Sequence, residues 1–196
     1  PLVRVQVSPA APMPKQKIIV VCGPTATGKS DYAVKLAKKN NGEVISADSR
    51  QVYRGFDISS GKITKREMHS IPHHLLDVAN PKKAFSVSQY QKLATKAIEE
   101  ITAKGNTPIV CGGTGFYIDA VICNTIFPDV PPNKTLRKKL EKLSLPVLQK
   151  KLAKLDPKRF ALIDKKNKVR LIRAIEIATA LGTVPTLKKT KKYLVE

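Results

Sequence analysis

The sequence predicts an α/β protein in which a parallel sheet flanked by helices is followed by a basic, all-helical segment. Three observations carry that expectation. Short apolar runs alternate with stretches of helical period across residues 13–122. A glycine-rich loop, GPTATGKS at residues 23–30, sits between the first apolar run and the first helical stretch. Beyond FPDVPP the apolar positions recur only at helical spacing, and lysine becomes frequent.

KIIVVC, residues 17–22, is short, apolar and β-branched, as a strand buried on both faces requires. After the loop, Tyr32, Val34, Leu36 and Ala37 recur at helical spacing until Asn40, Asn41 and Gly42 stop the helix. EVISADS supplies a second strand with Asp48 at its end, and IPHHLLDV reads as a third. RQVYRGFDISSGK, between them, carries two glycines and reads as loop. Ser86 and Gln89 form a capping-box pair that opens a helix running to Lys104, with Gly105 as its stop. TPIVCGG gives another strand and TGFYIDAVIC another helix. The helical segment then contains LRKKLEKL, PVLQKKLAKL, DPKRFALI and NKVRLIRAIEIATAL, with Asp156-Pro157 as an N-cap followed by Pro at N1 and Gly182 as the last stop. YLVE, at residues 193–196, has the composition of one more strand.

The expected organisation is a leader over residues 1–12, a core over 13–122, a basic helical insertion or clamp over 123–182, and a return to the core over 183–196. Residues 1–12 lack the apolar centre and cleavage site of a signal peptide, and Met13 marks the expected start. No apolar run reaches the roughly 18 residues of a membrane span. Cys22, Cys111 and Cys123 show no paired spacing, which points to a reducing compartment such as the cytoplasm. Cys22 and Cys111 end apolar runs and are expected to be small buried hydrophobes.

The formal net charge is +21, unevenly spread. Residues 1–130 hold 17 Lys and Arg against 10 Asp and Glu, whereas residues 131–196 hold 19 against 5. A third of the chain thus carries most of the excess, which favours a polyanionic partner, nucleic acid first, over a merely solvated lysine-rich surface.

GPTATGKS fits the G-x-x-x-x-G-K-[ST] pattern, with the strand before it and the helix after it that the pattern needs. The core is therefore expected to be of the P-loop NTPase type. Gly23, Pro24, Thr25, Ala26, Thr27 and Gly28 would present backbone amides to phosphate oxygens at the positive end of a helix. Lys29 would neutralise phosphate charge, and the Ser30 hydroxyl could hold Mg²⁺. No apolar strand ending in Asp beside a catalytic acid accompanies the loop; HHLLDV offers Asp77 without a second acid. Asp48, at a strand end, is either a general base or the acceptor of an Asx turn. Thr114 opens a helix after two glycines, as an N-cap, a ligand contact or both. The three strand ends GPTATGKS, ADSRQ and GGT should converge on one crevice. His73 and His74 are adjacent, so on a strand they face opposite ways, one packed and the other toward the cleft, rather than forming a metal site.

GPTATGKS, ADSRQVYRGFDISSGK, IPHHLLDV, GGTGFY and DPKRFALIDKKNKVRLIRAIEI together, in this order and spacing, resemble the tRNA dimethylallyltransferases, also called tRNA isopentenyltransferases. The resemblance spans residues 18–182; members of that family usually run further at the C-terminal end. It implies transfer of a dimethylallyl group from dimethylallyl diphosphate to N6 of the adenosine 3′-adjacent to the tRNA anticodon, with Mg²⁺ as cofactor and pyrophosphate as the second product. Asp48 is then the implied general base, with Lys29 and Thr114 as further catalytic residues. Asp48, Ser49, Arg50 and Gln51, then Arg137, then Val169, Arg170, Leu171, Ile172 and Arg173 fall on segments that contact the tRNA anticodon arm. The implied protein is a cytoplasmic monomer with no membrane partner. Where family members often have Pro-Asn-Asp before the arginine pair, this chain has Lys165, Lys166 and Asn167. The alternatives are a P-loop kinase of a small metabolite, a prenyltransferase acting on free adenine nucleotides, and a non-catalytic RNA-binding chain. The basic helical segment and the lack of an arginine-rich lid weigh against the kinase.

Overall fold

The computed structural model describes residues 16–196; residues 1–12, read as a leader, and Met13 lie outside them. The chain forms two compact units. Unit 1 holds the described residues up to Thr125 together with residues 189–196, and unit 2 is Ile126–Lys188. These edges differ from the expected 122/123 and 182/183. In unit 1, Thr190 N–H donates to the Cys123 carbonyl at 2.8 Å and Asn124 Nδ2 donates to Thr190 Oγ1 at 3.0 Å. In unit 2, Ile126 N–H donates to the Lys188 carbonyl at 2.9 Å. The hydrogen bonds that close each unit therefore fall outside the Pro-rich and Gly-marked breaks that sequence composition points to.

Unit 1 runs β1 (Gln16–Cys22), α1 (Lys29–Lys39), β2 (Gly42–Ser46), β3 (His73–His74), α2 (Val87–Ala103), β4 (Thr107–Gly112), α3 (Gly115–Ile122) and, after unit 2, β5 (Tyr193–Val195). The strands form one five-stranded sheet in the order β3-β2-β4-β1-β5, every pair parallel. YLVE thus does return as a strand, on the open edge of β1. Successive residues face opposite sides of a pleated strand, so each apolar run feeds two cores. Ile19, Val44 and Ile109 pack with Ala33 and Ala37 of α1. Ile18, Ile45 and Val110 pack with Tyr90, Ala94 and Ile98 of α2. Tyr90 and Tyr117 stack with ring centroids 4.0 Å apart, joining α2 to α3.

The third strand is shorter than IPHHLLDV predicts. Only His73 and His74 pair with β2, because Leu75 and Asp77 take left-handed backbone angles, φ 64° and 58°. Asp77 instead answers the preceding loop, accepting from Lys62 Nζ at 2.5 Å on its carboxylate and from Arg54 Nε at 2.9 Å on its carbonyl. The histidines also differ from expectation: neither lines the cleft described below. His74 Nε2 lies 2.6 Å from Oε2 of buried Glu43, and His73 Nδ1 lies 2.8 Å from the Ile71 carbonyl. Burial alone would raise the Glu43 carboxyl, but hydrogen bonds from His74, Asn106 and Lys104 outweigh it and hold it below the ordinary value.

Unit 2 contains α4 (Lys134–Glu141), α5 (Leu145–Leu155), α6 (Pro157–Leu162) and α7 (Lys168–Leu181). Leu140, Leu148, Leu152, Leu171 and Ile175 make its core. Three caps fix the starts. Asn133 accepts from Leu136 N–H, Asp156 from Arg159 N–H and Asn167 from Arg170 N–H, at 2.9, 2.9 and 3.1 Å. Asp156 is buried and also accepts from Val184 N–H at 2.7 Å, which ties the end of the unit to the start of α6. Gly182, at φ 81°, ends α7.

Candidate active site

The site lies at the carboxyl ends of the unit 1 strands, as parallel sheets dictate. Register brings those ends level: Cys22 pairs with Gly112, and Ser46 with Cys111. Gly112 has no room for a side chain. A Cβ there would sit 2.3 Å from the Ala47 carbonyl oxygen, so only glycine lets β4 run this close to the end of β2. Hydrogen bonds from Ala47 N–H to the Cys111 carbonyl and from Thr114 N–H to the Ala47 carbonyl, 2.7 and 3.1 Å, lock the approach.

The glycine-rich loop leaves β1 and turns into α1 through Ala26 and Gly28 at φ 62° and 74°. Lys29 and Ser30 are the first two residues of α1, where helix amides have no intrahelical acceptor. Thr27 Oγ1 donates to the Pro24 carbonyl at 2.9 Å, and Lys29 Nζ donates to the same carbonyl. The Lys29 ammonium is thus tied back to the loop that precedes it.

A cleft of about 330 Å³ opens there. It is lined by Thr25, Ala26, Thr27, Gly28, Lys29 and Ser30 of the loop and α1, and by Asp48, Gln51, Gly112 and Gly113 after β2 and β4. The three strand ends therefore do converge. Gly23, Pro24, Ser49, Arg50 and Thr114 are absent from the lining.

The Asx-turn reading of Asp48 holds. Its Oδ1 accepts from Arg50 N–H at 2.8 Å and Gln51 N–H at 3.3 Å, an Asx turn that fixes the side chain. Its Oδ2 has no hydrogen-bond partner among the described residues and belongs to a side chain on the cleft wall. Thr114 begins α3 without capping it through its side chain; its Oγ1 instead accepts from Ser49 N–H at 2.9 Å. Gln51 is also engaged within the protein, its Nε2 donating to the Gly61 carbonyl at 3.1 Å.

Sequence reasoning missed Ser60 and Gly61, which complete the cleft, and Lys62, which holds their loop. The Lys62 side chain is 7% exposed and bonds Asp57 Oδ1 at 2.7 Å, Asp77 Oδ1 at 2.5 Å and the Tyr53 carbonyl at 3.0 Å. Burial would lower its pKa, but the two carboxylates outweigh burial and raise it. Nothing in the sequence separates this lysine from the solvated ones around it. Cys111 is buried as expected, and burial pushes its thiol up to about 11, against a smaller opposing pull from Lys29. Cys22 is exposed, contrary to expectation, because it ends β1 where the chain turns out of the sheet.

In unit 2, Val169 and Arg170 are exposed on the first turn of α7. Leu171 and Ile172, on the same segment, are 0% and 7% exposed and pack in the core of the unit. The period of the helix turns these two positions inward between the two arginines. Arg137 of α4 and Arg173 of α7 both reach one buried carboxylate, Glu176, a residue that sequence reasoning passed over.

The family model described as IPP transferase matches residues 51–194. The tRNA dimethylallyltransferase of Anoxybacillus flavithermus is 44% identical over 182 residues, covering 92% of this chain and 58% of that protein. The tRNA dimethylallyltransferase of Halalkalibacterium halodurans is 46% identical over 88% of this chain and 56% of its own length. The chain therefore spans little more than half the length of these curated relatives. Among solved structures, the full-length tRNA isopentenylpyrophosphate transferase of Bacillus halodurans matches with a TM-score of 0.59 at 46% identity, over 86% of this chain and 57% of that one. A eukaryotic dimethylallyltransferase solved acting on tRNA matches with a TM-score of 0.74 at 28% identity, over 92% and 47%.

Proposed function

The chain belongs to the IPP transferase family, and on that premise we propose that it transfers a dimethylallyl group from dimethylallyl diphosphate to N6 of the adenosine 3′-adjacent to the tRNA anticodon. The observation that carries the reading is the cleft itself, lined both by a phosphate loop and by a fixed carboxylate, Asp48.

The chemistry follows from that arrangement. The C1–O bond of the donor breaks, and pyrophosphate departs with the bonding electrons. The C1–N6 bond forms, and Asp48 Oδ2 takes the proton that the amine loses. An exocyclic amine is a weak nucleophile, so a carboxylate already oriented by two backbone N–H groups lowers the barrier without rearranging. The loop amides and Lys29 meet the charge that grows on the leaving pyrophosphate. The Ser30 hydroxyl is an oxygen donor beside that position and would be the protein's ligand to Mg²⁺. When bound there, Mg²⁺ would offset charge on the diphosphate oxygens. No water has to be activated, so the reaction needs no second acid beside Asp77.

The basic helices of unit 2 are assigned to the anticodon arm, whose phosphates suit their charge. The target base must leave its stack to reach a carboxylate inside a cleft. We assign the reaction to a monomer in the cytoplasm, where Cys22, Cys111 and Cys123, all free, would stay reduced. Among the described residues no helix is long and apolar enough to cross a membrane.

The test is incubation with dimethylallyl diphosphate labelled in the prenyl group, Mg²⁺ and unmodified tRNA bearing adenosine 3′ to its anticodon. Label is expected in the tRNA and not in an equal concentration of free adenine nucleotides. Label in the nucleotides alone would replace tRNA as the acceptor.

A further inference from the structure

Glu176 lies on α7 with its side chain 1% exposed, inside a unit whose surface is strongly basic. Its carboxylate is saturated. Oε1 accepts from Asn133 N–H at 2.5 Å and from Arg137 Nε at 2.9 Å. Oε2 accepts from Arg137 Nη2 at 2.7 Å and from Arg173 Nη1. Arg173 Nη2 also donates to the Val130 carbonyl at 2.8 Å. One buried carboxylate thus grips two arginines, from α4 and α7, and the backbone ahead of α4.

The guanidinium groups are not consumed by this grip. Each carries five N–H donors. Arg137 spends two on Glu176, and Arg173 spends one on Glu176 and one on Val130. Their side chains remain 34% and 35% exposed, while the carboxylate between them is out of reach of any ligand. A free surface arginine samples many rotamers and loses that freedom on binding; these two have already lost it. Two fixed guanidiniums with unspent donors suit adjacent oxygens of a polyphosphate backbone, which planar forks recognise in a way that mobile lysines cannot.

We propose that Glu176 is a positioning residue for RNA recognition: it holds Arg137 and Arg173 as a preorganised pair that takes backbone phosphate of the acceptor RNA. This rests on the reading of the acceptor as tRNA. The pair reads position rather than sequence, since phosphate contacts carry no base information.

The sign of one substitution separates this from charge alone. Glu176→Gln makes unit 2 more positive, so a purely electrostatic role would tighten RNA binding. A positioning role weakens it, because the single amide oxygen can take at most two of the four donors and the amide's own N–H groups oppose the others. The experiment measures affinity of the intact chain for unmodified tRNA across a salt series, for wild type, Glu176→Gln, Arg137→Gln and Arg137→Lys. Circular dichroism and donor binding check that each variant is folded. Arg137→Gln is expected to lower the slope of log K against log salt by about one. Glu176→Gln is expected to weaken binding at least roughly fivefold at 0.1 M salt, the loss of one phosphate contact or more. Arg137→Lys should keep the slope without restoring full affinity. Unchanged or tighter binding by folded Glu176→Gln, or an unchanged slope in Arg137→Gln, would reduce the cluster to a staple within unit 2 and overturn the proposal. A folded wild type that binds no tRNA would overturn the acceptor reading itself, and this inference with it.

Discussion

Ser49 and Thr114 meet across the mouth of the sheet: the Ser49 amide donates to Thr114 Oγ1 at 2.9 Å. The bond joins the residue after Asp48 to the residue that opens α3, tying the end of β2 to the end of β4. Thr114→Val keeps the shape and removes the acceptor. We expect a loss of about 1–2 kcal/mol from the stranded amide, together with slower label transfer at saturating donor. Thr114→Ser should restore both. Thermal melts and single-turnover rates provide the check; a Val variant with full rate would remove Thr114 from the machinery.

Asp48→Asn separates the turn from the proposed proton transfer. Asparagine Oδ1 can still accept from Arg50 and Gln51, so the turn should survive. The amide cannot take a proton. Turnover should fall about 10²–10⁴-fold, the usual worth of a general base, while donor binding measured by equilibrium dialysis stays unchanged. Equal loss of donor binding would point to a role in holding the diphosphate.

Gly112→Ala inserts a methyl group 2.3 Å from the Ala47 carbonyl, against backbone that cannot swing aside. Chemical denaturation should show a loss of about 1–3 kcal/mol, the range for overpacking. A neutral substitution would mean that β2 and β4 can separate, and the cleft wall with them.

The Glu176 carboxyl is held at about 2 against an ordinary 4.5. Burial alone would raise it, but the hydrogen bonds from Arg137, Arg173 and the Asn133 amide outweigh burial. A depressed acid stabilises the fold fully above its unfolded value. That stability fades as pH falls from about 4.5 toward 2. Melting temperatures of wild type and Glu176→Gln, taken across this window, should therefore converge as the solution is acidified. A constant gap would show that the pairing contributes nothing through ionisation.

Much of this fold was legible because local signals and global packing agree. KIIVVC, EVISADS and TPIVCGG are apolar on both faces of the pleat and proved to be strands with helices on both sides. Ser86, Asp156 and Gly182 mark helix ends by chemistry that acts within a few residues. IPHHLLDV misled because apolar composition does not report the positive φ of Leu75 and Asp77, which Lys62, far away in sequence, helps to fix. In the site, the phosphate loop and Asp48 stand out as motif and strand end. Glu176 and Lys62 do not, since only tertiary structure reveals which single charge among many is buried and paired. Leu171 and Ile172 fall inside a segment that the resemblance marks as RNA-contacting, and the helical period sorts the two apolar side chains inward.

On this mechanism the phosphate loop holds a diphosphate that leaves whole rather than a nucleotide that is cleaved. Product balance tests it most directly. With dimethylallyl diphosphate, Mg²⁺, ATP and unmodified tRNA present together, pyrophosphate and prenylated adenosine are counted after nuclease digestion. One pyrophosphate is expected for each N6-prenylated adenosine, and no ADP. ADP formed in step with a phosphorylated acceptor, with no prenyl group on N6, would contradict it.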